Sequence, residues 1–305
     1  MEPATAPDGR PVIFGEVLFD TFPDGTAVLG GAPFNVAWHL QGFGVPPLLI
    51  SRVGTDERGR RVLETMEAWG LDTAGVQRDP AYPTGTVRIA MDDRGGHSFE
   101  ILPDQAYDFV EPRAARAAAP ARPVPILYMG TLAARRPESR ATLDGLIHSL
   151  DAPVFVDVNL RDPWWRHERV DQGLRSARWA RLNDEELAAI SEEPVTSDNL
   201  LDAAARLRAS HHLQLLVLTL GADGACFVTA DQTLRSPAPP LGEVADTVGA
   251  GDGFAAVTIL GLLKAWPLER TLDRALQFAA AICRQRGATA RDLDLYKRFL
   301  DQWAA

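Results

Sequence analysis

The sequence predicts an α/β protein: a mostly parallel central sheet flanked by helices, with a small β flap set apart from it. Three observations carry this. From about residue 125 onward, short apolar runs alternate with helical stretches, the pattern of βαβ units around a parallel sheet. Between residues 84 and 102 two alternating segments flank a turn, which breaks that rhythm and predicts an antiparallel hairpin. Several predicted strands run into polar residues or a glycine turn, and open α/β sheets bind ligands at the carboxyl ends of their strands.

Taken in order, "PVIFGEVLFD" is apolar and β-branched and reads as one strand near the N-terminus. "GGAPFNVAWHLQGFG" opens on a Gly-Gly turn and continues as a helix from about Pro33 to Gly42 or Gly44. "PLLISRVG" is a strand, and "RGRRVLETMEAWG" a helix stopped by Gly70. "TGTVRIAMDDRGGHSFEIL" is the hairpin, turning at Asp92–Gly96. Beyond the Ala/Arg/Pro-rich stretch 111–125, "VPILYMG", "PVFVDVN", "WARLN" and "LQLLVLTLG" are strands. "RPESRATLDGLIHSL", "RHERVDQGLRSA", "DEELAAI" and "NLLDAAARLRAS" are the helices between them. The strand tips bring Asp157, Asn159 and Arg161, then Asn183, then Thr219 and Gly221 to one expected crevice.

Composition narrows the partners. With 46% hydrophobic and 24% charged residues the chain is ordinary for a globular protein, and a formal charge of −10 argues against general affinity for nucleic acid or an anionic membrane. Cys226 and Cys283, the only cysteines, sit in apolar surroundings and predict reduced core thiols in a cytoplasmic protein. The start MEPATAPDGR lacks a signal pattern, and the longest apolar run, Gly253–Leu263, is too short to span a bilayer. The six histidines show no metal-ligand spacing.

The chemistry concentrates in "DTVGAGDGFAAV", Asp246–Val257. Gly249, Ala250 and Gly251 allow several N–H groups to converge, and the helix that follows adds free donors and partial positive charge, which together suit a phosphate. Asp252 in that setting reads two ways. It caps the helix, or it is a general base that takes a proton from a hydroxyl attacking a bound phosphoryl group. No G-x-x-x-x-G-K-[ST] occurs, and "GAGDGF" breaks the dinucleotide G-x-G-x-x-G pattern at Phe254. Asp20 can accept two hydroxyl protons, Asn35 can donate and accept, and Gly30 and Gly31 permit close approach of the backbone to a ligand; the alternatives are a strand-end cap for Asp20 and local pairing for Asn35.

"DTVGAGDGF" and "GGAPFNVAWHL" resemble the two signatures of the ribokinase-like (PfkB) carbohydrate kinases, and "GEVLFD", "SRVGTDERG", "DVNLRDPWW", "LNDEE" and "LTLGADGA" extend the resemblance over nearly the whole chain. It implies one Rossmann-like kinase domain over residues 1–305. A β lid built from about 15–32 and 84–105 would close over a sugar, and ATP with Mg²⁺ would supply the phosphoryl group. The resemblance makes Asp252 the catalytic base and Gly249, Ala250 and Gly251 the anion hole. It places Asp20, Gly30, Gly31, Asn35, Asn159 and Arg161 at the sugar. Asn183, Thr219, Gly221 and Gly224 fall beside the nucleotide, and Glu186 organises Mg²⁺ through water. Relatives often respond to a monovalent cation, here K⁺ at carbonyls near Asp246 and the 280s, and often pair lid to lid as homodimers.

"GGAP" followed by "NVA" resembles the fructokinase branch, and "DVNLRDPWW" resembles the segment of fructokinases and 2-keto-3-deoxygluconate kinases. Arg161 either orients substrate or pairs with Asp157 or Asp162, and Arg88 either reaches an acidic substrate or is an exposed strand residue. Two features depart from the family pattern. Gly253 is expected to loosen the helix start, and Phe34 and Trp38 are expected to narrow the pocket or pack on the lid. The competing readings are a 2-keto-3-deoxygluconate or nucleoside kinase of the same fold, and a sugar- or nucleotide-binding regulator without chemistry.

Overall fold

The computed structural model describes residues 9–91, 97–121, 123–242 and 244–304. Its strands are β1 Val12–Phe14, β2 Leu18–Thr21, β3 Ala27–Gly30, β4 Leu48–Gly54, β5 Val76–Asp79, β6 Gly85–Met91, β7 His97–Ile101, β8 Leu127–Gly130, β9 Val154–Asp157, β10 Trp179–Asn183, β11 Leu215–Thr219, β12 Ala225–Val228 and β13 Thr233–Ser236. Its α-helices are α1 Ala32–Gly42, α2 Glu57–Trp69, α3 Pro112–Ala118, α4 Pro137–Leu150, α5 His167–Ser176, α6 Asp184–Ile190, α7 Leu200–Ser210, α8 Ala250–Leu263, α9 Leu268–Ile282 and α10 Leu293–Ala304.

Nine strands form the central sheet in the order β13-β12-β11-β10-β9-β8-β1-β4-β5. Pairing is parallel from β5 to β11, and the antiparallel hairpin β12–β13 closes one edge. Strands buried on both faces alternate between two cores, as the period of two requires. Val12 and Phe14 face a core shared with α4, α5, α6 and α7, while Ile13 faces the opposite one with α1, α2 and α8. Leu216 and Leu218 divide in the same way from Leu215 and Val217.

A second sheet, β3-β2-β6-β7, stands apart. It holds the expected hairpin as antiparallel β6–β7, while β2 and β6 pair in parallel. The turn Asp92–Gly96 lies outside the described residues. "PVIFGEVLFD" is not one strand. It breaks at Gly15–Val17, so that β1 stays in the central sheet and β2 crosses to the small one. A methyl group on Gly15 would lie 2.1 Å from Pro33 Cγ, so the bend is packed against the start of α1.

Helix α8 is buried along most of its length, from Gly253 to Gly261. Gly253 has a packing role. A Cβ there would lie 3.1 Å from Ile282 and 3.3 Å from Phe278, so glycine lets α8 seat closely on α9. Trp38 packs away from the small sheet, stacking on Trp69 at 4.4 Å and donating its Nε1–H to Ala290 O. Phe34 shares a core with Phe19 and Leu29 of the small sheet. Both cysteines are free and buried, and among the described residues no helix is long and apolar enough to cross a membrane.

Candidate active site

Asp252 occupies the third position of α8, and Gly249 is the N-cap, with φ 81°. A methyl group on Gly249 would lie 2.4 Å from Ala288 Cα, so both its conformation and its surroundings exclude a side chain. The capping reading of Asp252 therefore fails. No side chain caps α8, and Asp252 Oδ2 instead accepts a 2.7 Å hydrogen bond from Asn35 Nδ2 at the head of α1. Burial raises the Asp252 carboxyl to about 6, against the lowering effect of the Asn35 bond, Arg181 and Arg161.

Asn35 Oδ1 is buried without a partner, an acceptor left open beside Asp252. A Cβ on Gly30 would sit 3.8 Å from both Asn35 Oδ1 and Asp20 Oδ2, which places Asp20, Asn35 and Asp252 around one point. Burial pushes Asp20 up to about 6, and Arg161 opposes it. Gly31, with φ 110°, brings its Cα against the chain of Glu16, where a methyl group would meet Glu16 O at 2.6 Å.

Arg161 is exposed, and neither suggested partner holds it. Asp157 is taken by Arg181 and Tyr128, and Asp162 accepts from Trp165 Nε1. Arg161 instead lowers Glu16, Asp20 and Asp252 together, as the cation facing all three acids. Asn159, just before it, holds a positive φ of 38° where β9 gives way to the loop.

A second cluster lies at the tips of β10 and β11, where Asn183 pairs in register with Thr219. Asn183 and Glu186 form a capping box on α6: Asn183 Oδ1 accepts from Glu186 N at 2.7 Å, and Glu186 Oε2 accepts from Asn183 N at 2.9 Å. Glu186 Oε1 accepts from Leu160 N, which ties this cluster to the Asn159–Arg161 loop. Gly221 and Gly224 bracket the turn from β11 into β12, both at positive φ; Gly224 passes too close to Ser236 O for any side chain.

Sequence reasoning missed two members. Glu16, at the bend between the sheets, is 2% exposed, keeps Oε2 unpartnered, and is driven by burial to about 7. Arg181 is buried in β10, bonds Asp157 at 2.9 and 3.1 Å, and reaches Thr219 Oγ1 at 3.4 Å. A Cβ on Gly251 would lie 2.5 Å from Arg181 Nη2, so the guanidinium sits against the first turn of α8. A single charge inside the apolar run "WARLN" was the available signal for Arg181. For Glu16 the signal was an acid beside a glycine in mid-strand.

His39 is fully buried; its Nε2 donates to Ala288 O, so Nδ1 accepts from Tyr296 OH, and burial lowers the ring to about 4. Arg88 is exposed and lies across from Glu100 at 3.6 Å. Among the described residues no three His, Cys, Asp or Glu side chains are grouped to hold a metal directly.

The arrangement offers a proton acceptor and main-chain donors at a helix head, with hydroxyl-binding groups beside them. Comparison with known proteins agrees with that chemistry. The family model described as pfkB family carbohydrate kinase matches residues 14–294. A fructokinase of Klebsiella pneumoniae is 31% identical over 268 residues, covering 84% of this chain and 85% of that one. The solved fructokinase of Vibrio cholerae O395 in its fructose, ADP and calcium ion bound form aligns with a TM-score of 0.80 at 25% identity, covering 96% and 99%. The sugar kinase PH1459 of Pyrococcus horikoshii in complex with ATP aligns at 0.79 and 25%, covering 94% and 97%. On a match spanning nearly all of its length, the chain belongs to the pfkB family of carbohydrate kinases, in the ribokinase-like fructokinase branch.

Proposed function

We propose that this protein transfers the γ-phosphoryl group of ATP to a hydroxyl of fructose. The observation that carries the proposal is the Asn35–Asp252 bond, which holds the only acid at the head of α8 beside Asp20 and Gly30. Asp252 takes the proton of the attacking hydroxyl, whose oxygen bonds to phosphorus as the bond to ADP breaks. The N–H groups around Gly249–Gly251 face the charge that develops on the phosphoryl oxygens, and Arg161 adds a cation on the sugar side. Asp20 and Asn35 receive the sugar hydroxyls, and Asn159 joins them from the loop. Asn183, Thr219, Gly221 and Gly224 border the nucleotide.

The donor set fits Mg²⁺ held through water. Glu186 spends both oxygens on backbone N–H groups, which suits an ion met through its hydration shell rather than by direct ligation. Bound there, Mg²⁺ supplies charge neutralisation for the nucleotide phosphates. A K⁺ site is supported where Asp246 accepts from Gly287 N and Ala245 N donates to Cys283 O, which brings the two expected carbonyl segments together. The small sheet, taken as segments 15–32 and 84–105 of a single 1–305 kinase domain, is the lid. Exposed Val28 and Phe99 on it support pairing of two lids in a homodimer, and the two free thiols support a reducing, cytoplasmic setting.

ADP release measured over fructose, glucose, mannose, ribose, 2-keto-3-deoxygluconate and nucleosides tests the proposal. Fructose is expected to give the highest kcat/KM. A higher value for an acid or a nucleoside, or binding without turnover on any acceptor, overturns it.

A further inference from the structure

Away from the sugar and nucleotide clusters, a cavity of about 290 Å³ opens between the heads of α4 and α5. That volume holds about ten water molecules, enough for a phosphate group with a small organic body. In a chain of formal charge −10, its lining includes Arg135, Arg136, Arg140, Arg166 and Arg169 and no Asp or Glu.

Two of these guanidiniums are already paired, Arg135 with Asp108 and Arg136 with Asp104. Among the described residues no carboxylate lies within ion-pair distance of Arg140, Arg166 or Arg169. Arg169 bonds only Gln172, and Arg166 bonds the carbonyls of Pro163 and Trp165. Burial and the facing Arg169 push Arg140 below the usual arginine range, while Asp144 and Glu138 act in the opposite direction. Arg135 is the buried member of the set, lying over the rings of Tyr107 and Trp164 with Nη2 also donating to Leu102 O. Its side chain is 2% exposed, its Nε and Nη2 bind Asp108, and its Nη1 has no partner. Both helices also begin at an arginine N-cap with no side chain bonding the first-turn N–H groups, so two helix heads add positive potential to the same opening.

We propose that this groove is a second anion site, separate from the catalytic one, which binds a phosphate dianion, free or as the monoester of a small polyol. Planar guanidiniums converging from two helices suit tetrahedral phosphate oxygens, and the cost of keeping several cations together is relieved when the anion arrives. The site adjoins the catalytic loop. Thr131, in its wall, donates to Val158 O, and Trp164 donates to Ile101 O at the end of β7, so the groove grips both ends of the chain that carries Asn159 and Arg161.

The test is isothermal titration of the full-length chain with inorganic phosphate and, separately, with glycerol 3-phosphate, fructose and a non-hydrolysable ATP analogue being present at saturation. One saturable site is expected, and in Arg140→Gln/Arg169→Gln both anions should bind more weakly by about tenfold or more, since each lost charge-assisted contact is worth about that factor. A tighter wild-type isotherm for glycerol 3-phosphate identifies the monoester as the ligand, and equal isotherms identify free phosphate. The variant is expected to keep wild-type circular dichroism and basal turnover; if it does not fold, Arg169→Gln alone carries the comparison. No saturable binding at millimolar anion, or unchanged affinity in the variant, overturns the site.

Discussion

Asn35 Nδ2 lies 2.7 Å from Asp252 Oδ2, a bond that joins the heads of two helices 217 residues apart in the chain. It favours the charged form of Asp252 and leaves Asn35 Oδ1 free to accept from a ligand. Because the donor favours the carboxylate, the same bond that positions Asp252 also keeps its affinity for protons from rising further.

Replacement of the base tests its role most directly. Asp252→Asn is expected to lower kcat by about 10²–10⁴, the usual worth of a positioned base, with sugar and ATP KM largely kept. Steady-state kinetics on both substrates decide it, and wild-type turnover in the variant removes Asp252 from the chemistry.

The pH profile carries a sign. Asp252 must be unprotonated to act, and burial raises it to about 6, so kcat/KM should climb with pH through a midpoint near that value. Asn35→Leu and Arg161→Gln each remove a stabiliser of the carboxylate, so each should move the midpoint to higher pH. A midpoint unmoved in both variants contradicts the assignment.

Asp20→Ala separates sugar binding from nucleotide binding. Loss of hydrogen bonds to a charged acceptor is worth about 10–100-fold, so the sugar KM should rise by that factor while the ATP KM stays near wild type. Equal rises in the two constants count against Asp20 as a sugar contact.

Glu16 couples the site to stability. Its carboxyl is raised in the fold from 4.5 to about 7, so protons bind the folded state more tightly than the unfolded one. The stability it contributes is complete below 4.5 and is lost as pH rises through 7, on the order of 3 kcal/mol in all. Glu16→Gln should therefore gain stability over wild type in urea melts at pH 8 and show little difference at pH 4. A constant difference at the two pH values refutes the linkage.

Gly249→Ala tests the turn that feeds α8. Forcing a Cβ into a left-handed position and against Ala288 Cα should cost about 2–4 kcal/mol in urea unfolding, with activity reduced in the fraction that folds. A change below about 0.5 kcal/mol means the loop can relax around the methyl group.

Much of the fold was legible because periodicity is local. Alternating apolar runs marked the strands from Leu127 to Thr219, Gly70 marked the end of α2, and the glycine turn marked the start of α8. The hairpin showed itself through the alternation of "TVRIAM" and "HSFEI". What stayed hidden depended on partners distant in sequence. "PVIFGEVLFD" has the composition of one strand, and only packing of Gly15 on Pro33 shows that it serves two sheets. Elements β5, β12, β13, α3, α9 and α10 were not placed from sequence. The three strands and α3 show no clear alternation or helical stripe, while α9 and α10 do carry apolar residues at helical spacing.

For the site, local sequence nominated Asp252, the glycines before it, Asp20, Asn35 and the strand-tip Asn183, because flexible loops and helix heads are written in short stretches; their roles, and Glu186, came from the resemblance to the carbohydrate kinases. Tertiary structure decided the rest. It made Gly249 the cap and freed Asp252 to meet Asn35, paired Asp157 with Arg181 and so left Arg161 open, and buried Glu16 where its charge is costly. Proton affinity and charge pairing depend on burial and on neighbours across the fold, and neither is encoded in any short stretch of chain.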